Sequence, residues 1–461
     1  MPHPPTTSNL SRVIVAMTVP AVQSGAVGLC YTTTVDVGID LDAVAGIRTE
    51  RVDWQFKGLP DTVFGQTIGE VADARLDLFT DGFVGPLLVL DEAALTHNLT
   101  TMADWCARHG MALAPHGKTT MAPQLFARQL ELGAWGMAAA NISQLRVYRA
   151  FGVRRIQLAN EFVDPAGLRW LAHELDRDPD FEFQCWVDST AGVDLMTEAL
   201  RDAPRPVDVL VDLGVPGGRS GVRDITAGIE VAAAVDASPA LRLAGVAGYE
   251  GVVTHGASAD ALARLDAYLE QLRTLAIRIA AERDLPELVV SAGGSAYFDR
   301  VVAALSRDWP SGLTVRPILR SGAYLTHDTG FYQDVSPLGH TTRIADAQPF
   351  RPAFQAWAQV TSRPEPGLAL LTMGKRDAPY DEGMPVPQAV HTNGVTRPLT
   401  GCTVRKLADQ HTFLMTGDDD TPRVGDWVGF GLSHPCTTFD KWRLIPVVDG
   451  TTVVDLIRTY F

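Results

Sequence analysis

The chain has 461 residues, 46% of them apolar and 20% charged, and its 39 Lys and Arg against 54 Asp and Glu leave a net charge of −15. That balance excludes global disorder, and the acidic surface argues against nucleic acid and anionic membranes as partners. There is no run of the ~18 apolar residues that a membrane-spanning helix needs, and five scattered cysteines (Cys30, Cys106, Cys185, Cys402, Cys436) form no disulfide framework and fit a reducing, cytoplasmic setting.

Residues 1–51 read as an N-terminal extension, expected to be partly disordered from Met1 to Asn9, where Pro, Ser and Thr dominate. Val13 to Cys30 is apolar enough to raise a signal peptide, but Pro20, Gln23 and Ser24 interrupt it and no good cleavage pattern follows. Regular folded sequence is expected from about Val52. Residues 52–91 read as a lead-in to the C-terminal β domain, and Gly85 to Asp91 as its strand.

Residues 92–330 alternate short β-type runs with amphipathic helices. Runs open near Met111, Trp135, Arg155, Phe183, Val207, Leu243, Leu288 and Val315. Between them Ala122 to Leu132 and Ala259 to Ala281 space their leucines helically, and Gly133 and Gly152 are placed to end helices. Such repetition means parallel strands with crossover helices, and eight units predict a closed (β/α)8 barrel. An open doubly wound sheet is the alternative, weakened by the lack of Gly-x-Gly-x-x-Gly after a first strand.

Residues 331–461 lose helical periodicity. Short runs such as Phe354 to Val360, Leu368 to Met373 and Trp427 to Gly431, parted by Gly, Pro and Asp, predict a smaller antiparallel β domain. The cleft between barrel and β domain is the expected ligand site.

Several residues carry candidate chemistry. Lys118, in Pro115-His-Gly-Lys-Thr-Thr120, falls at the C-terminal end of the first barrel strand, the catalytic face of such barrels. Partial desolvation there would make its neutral amine a nucleophile or base, the competing reading being a surface lysine. Ser291-Ala-Gly-Gly-Ser295 and Arg320-Ser-Gly-Ala-Tyr324 end adjacent strands. Their glycines suggest a phosphate cradle of backbone N–H groups, or simple turns. Arg219 lies in a Gly-rich loop where it would meet an anionic oxygen, and Tyr249 would pack on a planar ligand or plug the barrel. His434 and Cys436 are two apart, so in an extended segment both would face one way and form an incomplete zinc pair.

Taken together, in order and spacing, these segments resemble the D-serine dehydratase and D-threonine aldolase group of fold-type III pyridoxal-phosphate enzymes, relatives of alanine racemase. The resemblance spans residues 52–461. It implies that Lys118 is the Schiff-base and catalytic lysine, and that Arg219, Tyr249, Gly294, Ser295, Gly322, Ala323 and Tyr324 bind pyridoxal 5'-phosphate. His434 and Cys436 then hold Zn2+ or another divalent metal. Two positions depart from the pattern: Thr120 stands where a His often follows, and Ala323 replaces a common Asn.

The implied function is a pyridoxal-phosphate- and zinc-dependent dehydratase of D-β-hydroxy-amino acids such as D-serine, giving a 2-keto acid and ammonia. Aldolases of the group carry Asp at the Cys436 position. Two alternatives stay open: a metal-dependent D-threonine-type aldolase giving glycine and an aldehyde, and a non-catalytic pyridoxal-phosphate-binding protein. A homodimer is the implied assembly.

Overall fold

The computed structural model describes residues 37–461 apart from 284 and 418–421, so the expectations for Met1 to Asn9 and for Val13 to Cys30 lie outside it. Regular structure begins ahead of Val52, at a helix over Leu41–Gly46. Local chemistry accounts for the difference. Asp40 caps that helix, its carboxylate accepting from the N–H groups of Asp42 and Ala43. The same segment is tied to the barrel, where Asp40 donates its N–H to the Phe151 carbonyl at 2.9 Å and Gly38 accepts from Arg154 at 3.0 Å.

The strand β1 (Leu87–Asp91) is followed by β2 (Ala112–Leu113), β3 (Met137–Ala139), β4 (Arg155–Glu161), β5 (Glu182–Val187), β6 (Val207–Leu213), β7 (Leu241–Gly248), β8 (Leu288–Ala292) and β9 (Val315–Leu319). Strands β2 to β9 are the eight expected runs, and they form one parallel sheet in the order β2-β9-β8-β7-β6-β5-β4-β3. A bridge between His116 and Ala138 and the 2.7 Å bond from Trp135 N–H to Leu113 C=O bring its two ends together. The expected (β/α)8 barrel is therefore present.

Its interior is filled by Ala114, Trp186, Leu210, Ala247, Val289 and Ile318, and its outer face packs on helices such as Ala259–Ala281, which buries Leu265, Leu269, Leu272 and Ile279. Each large apolar side chain so buried contributes roughly 1.5–3 kcal/mol. Most of these helices start at side-chain caps, as where Asp91, the last residue of β1, accepts from Ala94 N–H at 2.6 Å.

The C-terminal strands are β10 (Phe354–Glu365), β11 (Leu368–Leu371), β12 (Val386–Thr392), β13 (Val395–Pro398) and β14 (Thr403–Leu407). They continue with β15 (Thr412–Met415), β16 (Trp427–Gly431), β17 (Leu444–Asp449) and β18 (Thr452–Arg458). The expected β domain forms a second sheet ordered β13-β12-β16-β10-β1-β17-β18, with β11, β15 and β14 branching from β10. Strand β1, from before the barrel, sits inside this sheet, antiparallel to β10 and parallel to β17. Its run Leu87-Leu-Val-Leu90 is buried throughout, as a central strand requires. The chain thus enters the β domain, makes the barrel and returns, which locks the two units together over their shared cleft.

Candidate active site

A cavity of about 800 Å3 opens at the C-terminal ends of the barrel strands, roofed by the β domain. Its size suits a cofactor together with a small substrate. Lys118 reaches it from a short 3-10 turn after β2, Gly117–Thr119. Burial pulls the Lys118 amine below the usual lysine range, opposed by the Cys436 sulfur and helped by the Arg219 and Arg320 charges. The expected availability of a neutral amine follows from that environment.

Arg219 comes from the loop after β6, its guanidinium 4.6 Å from the centre of the Tyr249 ring. Tyr249 directly follows β7, and burial pushes its phenol up to about 12. The next residue, Glu250, is fully buried and was not anticipated. Its carboxylate accepts the N–H groups of Gly293 at 3.0 Å and Gly294 at 2.6 Å.

This changes the cradle expected at Ser291 to Ser295. The glycine donors are already engaged by Glu250, so Gly294 lines the cavity without offering its N–H. The Ala323 N–H is likewise taken, by Ser295 Oγ at 3.0 Å, and Ser321 Oγ donates to the Gly294 carbonyl at 3.0 Å. These two bonds stitch the turns after β8 and β9 together. The N–H groups of Ser295, Ala296 and Gly322 find no acceptor among the described residues, and they are the donors left for an anion. Gly322 must be glycine here: a Cβ would lie 2.4 Å from the His116 carbonyl oxygen.

Tyr324 departs from expectation. Its ring is in the core, tilted on Phe350, and its hydroxyl accepts from Gln129 Nε2 at 3.0 Å. The turn over Ala323–Leu325 aims it away from the cavity, which it does not line.

Arg320, also not anticipated, lies on the cavity floor. It donates to Ser291 Oγ and to the Gly248 carbonyl, both at 2.6 Å, and stands 4.8 Å over the Trp186 ring. Ser291 in turn donates to Gln157, which donates to Gln184 at 3.0 Å. A buried polar network inside the barrel therefore fixes a cation beneath the cavity, with Glu250 as the leading counter-charge. A signal for it existed in the sequence: Arg320 precedes Gly322 by two at the end of a strand, hence on the same face.

His434 and Cys436 both line the cavity, but the extended segment expected around them is a helix, Pro435–Phe439. They meet because His434 precedes the helix in a left-handed conformation, φ 55° and ψ 78°, while Cys436 lies in its first turn. The Cys436 sulfur is 3.3 Å from Thr119 Oγ1, next to Lys118. A hydrogen bond to Cys436 holds the His434 imidazole up at about 9. Among the described residues no set of three or more His, Cys, Asp or Glu is poised to hold a metal. The pair would be a partial shell, as a catalytic metal needs.

The cavity also fits a pyridoxal phosphate. It offers one desolvated lysine amine, free backbone donors at two glycine turns, and a tyrosine face. Buried polar atoms without partners, His116 Nδ1 and Trp186 Nε1, belong to two of its lining residues.

Comparison with known proteins agrees with this architecture. Residues 90–310 match the alanine racemase N-terminal domain, and residues 353–448 a putative serine dehydratase domain. The chain is thus similar to alanine racemase-like proteins over its barrel and to putative serine dehydratases over its β domain. A D-threonine aldolase from Arthrobacter sp. is 28% identical over 374 residues, covering 80% of this chain and 90% of the relative. A 3-hydroxy-D-aspartate aldolase from Paracoccus denitrificans is 26% identical over 353 residues, covering 74% and 87%. Among solved structures, D-threonine aldolase from Filomicrobium marinum superposes with a TM-score of 0.69 at 27% identity, covering 82% of this chain and 95% of that one. D-threo-3-hydroxyaspartate dehydratase from a Delftia species shares the fold, with a TM-score of 0.66 at 20% identity over 83% and 99% of the chains. The relatives are lyases acting on D-β-hydroxy-amino acids by name, which supports a lyase here, and the alanine racemase-like match implies pyridoxal phosphate.

Proposed function

We propose that this chain is a pyridoxal-phosphate- and metal-dependent dehydratase of D-β-hydroxy-amino acids. One observation carries the reading: a desolvated lysine, two small-residue turns and a His–Cys pair, from four segments far apart in sequence, share one cavity. Pyridoxal phosphate, when bound through Lys118, supplies an electron sink for charge developing at the substrate Cα.

The chain's own groups do the rest. Ser295, Ala296 and Gly322 would present N–H groups to the phosphate, while Glu250 keeps the glycine turn in shape. Tyr249 and Arg219 would cover the ring. The Lys118 amine, whose neutral form burial favours, would take the Cα proton and return it to a departing β-hydroxyl. His434 and Cys436 would hold a divalent cation, which would supply Lewis acidity at that hydroxyl. Loss of hydroxyl from Cβ leaves an unsaturated amine, whose hydrolysis gives a 2-keto acid and ammonia.

Cys436 supports the dehydratase outcome, since aldolases of the group carry Asp there. The 28% identity to a D-threonine aldolase supports the second reading, in which the Cα–Cβ bond breaks and glycine and an aldehyde leave. The deciding experiment incubates purified protein with D-serine, D-threonine, 3-hydroxy-D-aspartate and the L-isomers, with and without EDTA. Keto acid and ammonia from D-isomers alone, lost on chelation and in Lys118→Ala, establish the dehydratase. Glycine and aldehyde move the assignment to the aldolase, and a protein without the yellow lysine-bound cofactor band refutes both.

A further inference from the structure

His434 is held in an uncommon way. Its backbone is left-handed, a conformation rarely adopted by a residue with a side chain unless its surroundings impose it. Asp328 imposes it from the barrel side. One oxygen of that carboxylate accepts the His434 N–H at 3.0 Å, and the other accepts from Gly330, Tyr332 and Gln333. The ring is gripped separately by Asp381, from the loop before β12. Asp381 Oδ2 lies 2.5 Å from His434 Nδ1, and Asp381 Oδ1 accepts from Thr437 Oγ1 at 3.1 Å. Both carboxylate oxygens are thus in use, and the helix that carries Cys436 supplies the hydroxyl that orients them.

A carboxylate on Nδ1 makes that nitrogen the proton-bearing one. It leaves the Nε2 lone pair as the one that would meet a metal. An oxygen that accepts from Nδ1 lies across the ring from Nε2, too far to join the same metal at the ~2.0–2.2 Å of a zinc–oxygen bond. Consistently, Asp381, His434 and Cys436 do not converge as a three-ligand set.

We infer that Asp381 is a positioning residue that sets the tautomer and aim of His434 toward a divalent metal shared with Cys436, and is not itself a ligand. The inference rests on the proposed role of His434 and Cys436 as metal donors. It adds a residue 53 positions away that no motif in the sequence marks.

The test uses the full chain, stripped of metal by chelation and titrated with Co2+, whose thiolate charge-transfer absorbance reports Cys436. Zn2+ affinity is then measured by competition against a chromophoric chelator. Loss of a carboxylate partner of this kind weakens metal binding about 10–100-fold. Asp381→Ala is expected to show that loss while its saturated Co2+ spectrum keeps the wild-type shape. Asp381→Asn still offers a carbonyl to Nδ1 and is expected to stay within a few-fold of wild type. Thr437→Val, which only loosens Asp381, should fall between them and serves if Asp381→Ala does not fold.

Wild-type affinity in both Asp381→Ala and Thr437→Val overturns the inference. So does an altered saturated spectrum in Asp381→Ala, which would make Asp381 a ligand. Wild-type protein that binds neither metal removes the His434–Cys436 reading beneath it, an outcome distinct from normal binding that ignores Asp381.

Discussion

Glu250 offers the sharpest test of how the cofactor turn is built. Its side chain is fully buried, accepts two backbone N–H groups and neutralises part of the buried Arg320 charge. Glu250→Ala leaves both glycine donors unsatisfied and Arg320 short of a counter-charge. Hydrogen bonds to a charged group contribute ~1.5–3 kcal/mol each. Two such bonds are lost, so the expected loss is about 3–5 kcal/mol. Glu250→Gln keeps one acceptor oxygen and turns an NH2 toward the other donor, so about half that loss is expected.

The assay is thermal unfolding of the cofactor-free protein, paired with pyridoxal phosphate titration. If the turn depends on Glu250, both variants lose stability in the stated order, and cofactor affinity falls with it although an anion has been removed near the phosphate donors. Unchanged melting and tighter cofactor binding in Glu250→Ala would refute the reasoning, because the carboxylate would then be acting only as a repelling charge.

Asp212 is pushed up to about 7 by burial first and by the Glu161 charge next, with Asp188 adding to it and Ser220 and Arg320 opposing. Its folded state holds a proton that the unfolded chain releases near the ordinary carboxylate value, so the wild type loses stability as pH rises from about 4 to 7. Asp212→Asn lacks that term. Its melting temperature relative to wild type should climb across the same window by the equivalent of a few kcal/mol, and a pH-independent difference would count against the assignment.

Gly322→Ala drives a methyl to 2.4 Å from the His116 carbonyl. A backbone shift there should cost ~1–3 kcal/mol and lower cofactor occupancy, read from the absorbance of the purified protein. Tyr324→Phe removes the hydroxyl that Gln129 donates to. A stability loss of ~1–2 kcal/mol with cofactor affinity unchanged is expected, whereas a cofactor defect would return Tyr324 to the site.

Much of this protein is written locally. The eight barrel strands fall in the apolar runs that announce them, because a strand buried on both faces has no polar alternation to hide it. The helix over Ala259–Ala281 matches its leucine spacing, and Gly133 and Gly152 end helices at positive φ, 90° and 69°. Lys118, Arg219, Tyr249, Ser295 and Gly322 could be named because strand ends in a parallel barrel all deliver residues to one face.

Four features could not be read that way, each set by a contact between segments distant in sequence. Strand β1 could be assigned to the β domain from sequence, but its central place there exists only because β10 and β17 flank it. Tyr324 turns into the core because Gln129 and Phe350 offer it a partner and a surface. The Gly293 and Gly294 donors are occupied because β7 delivers Glu250 beside them. His434 and Cys436 face one cavity through a left-handed residue that Asp328 holds, not through strand alternation. Sequence alone determined which segments carry the chemistry, since periodicity and turn residues act over a few neighbours. Tertiary structure decided which donors remain free and where each ring points, because those depend on partners that only folding brings within hydrogen-bond distance.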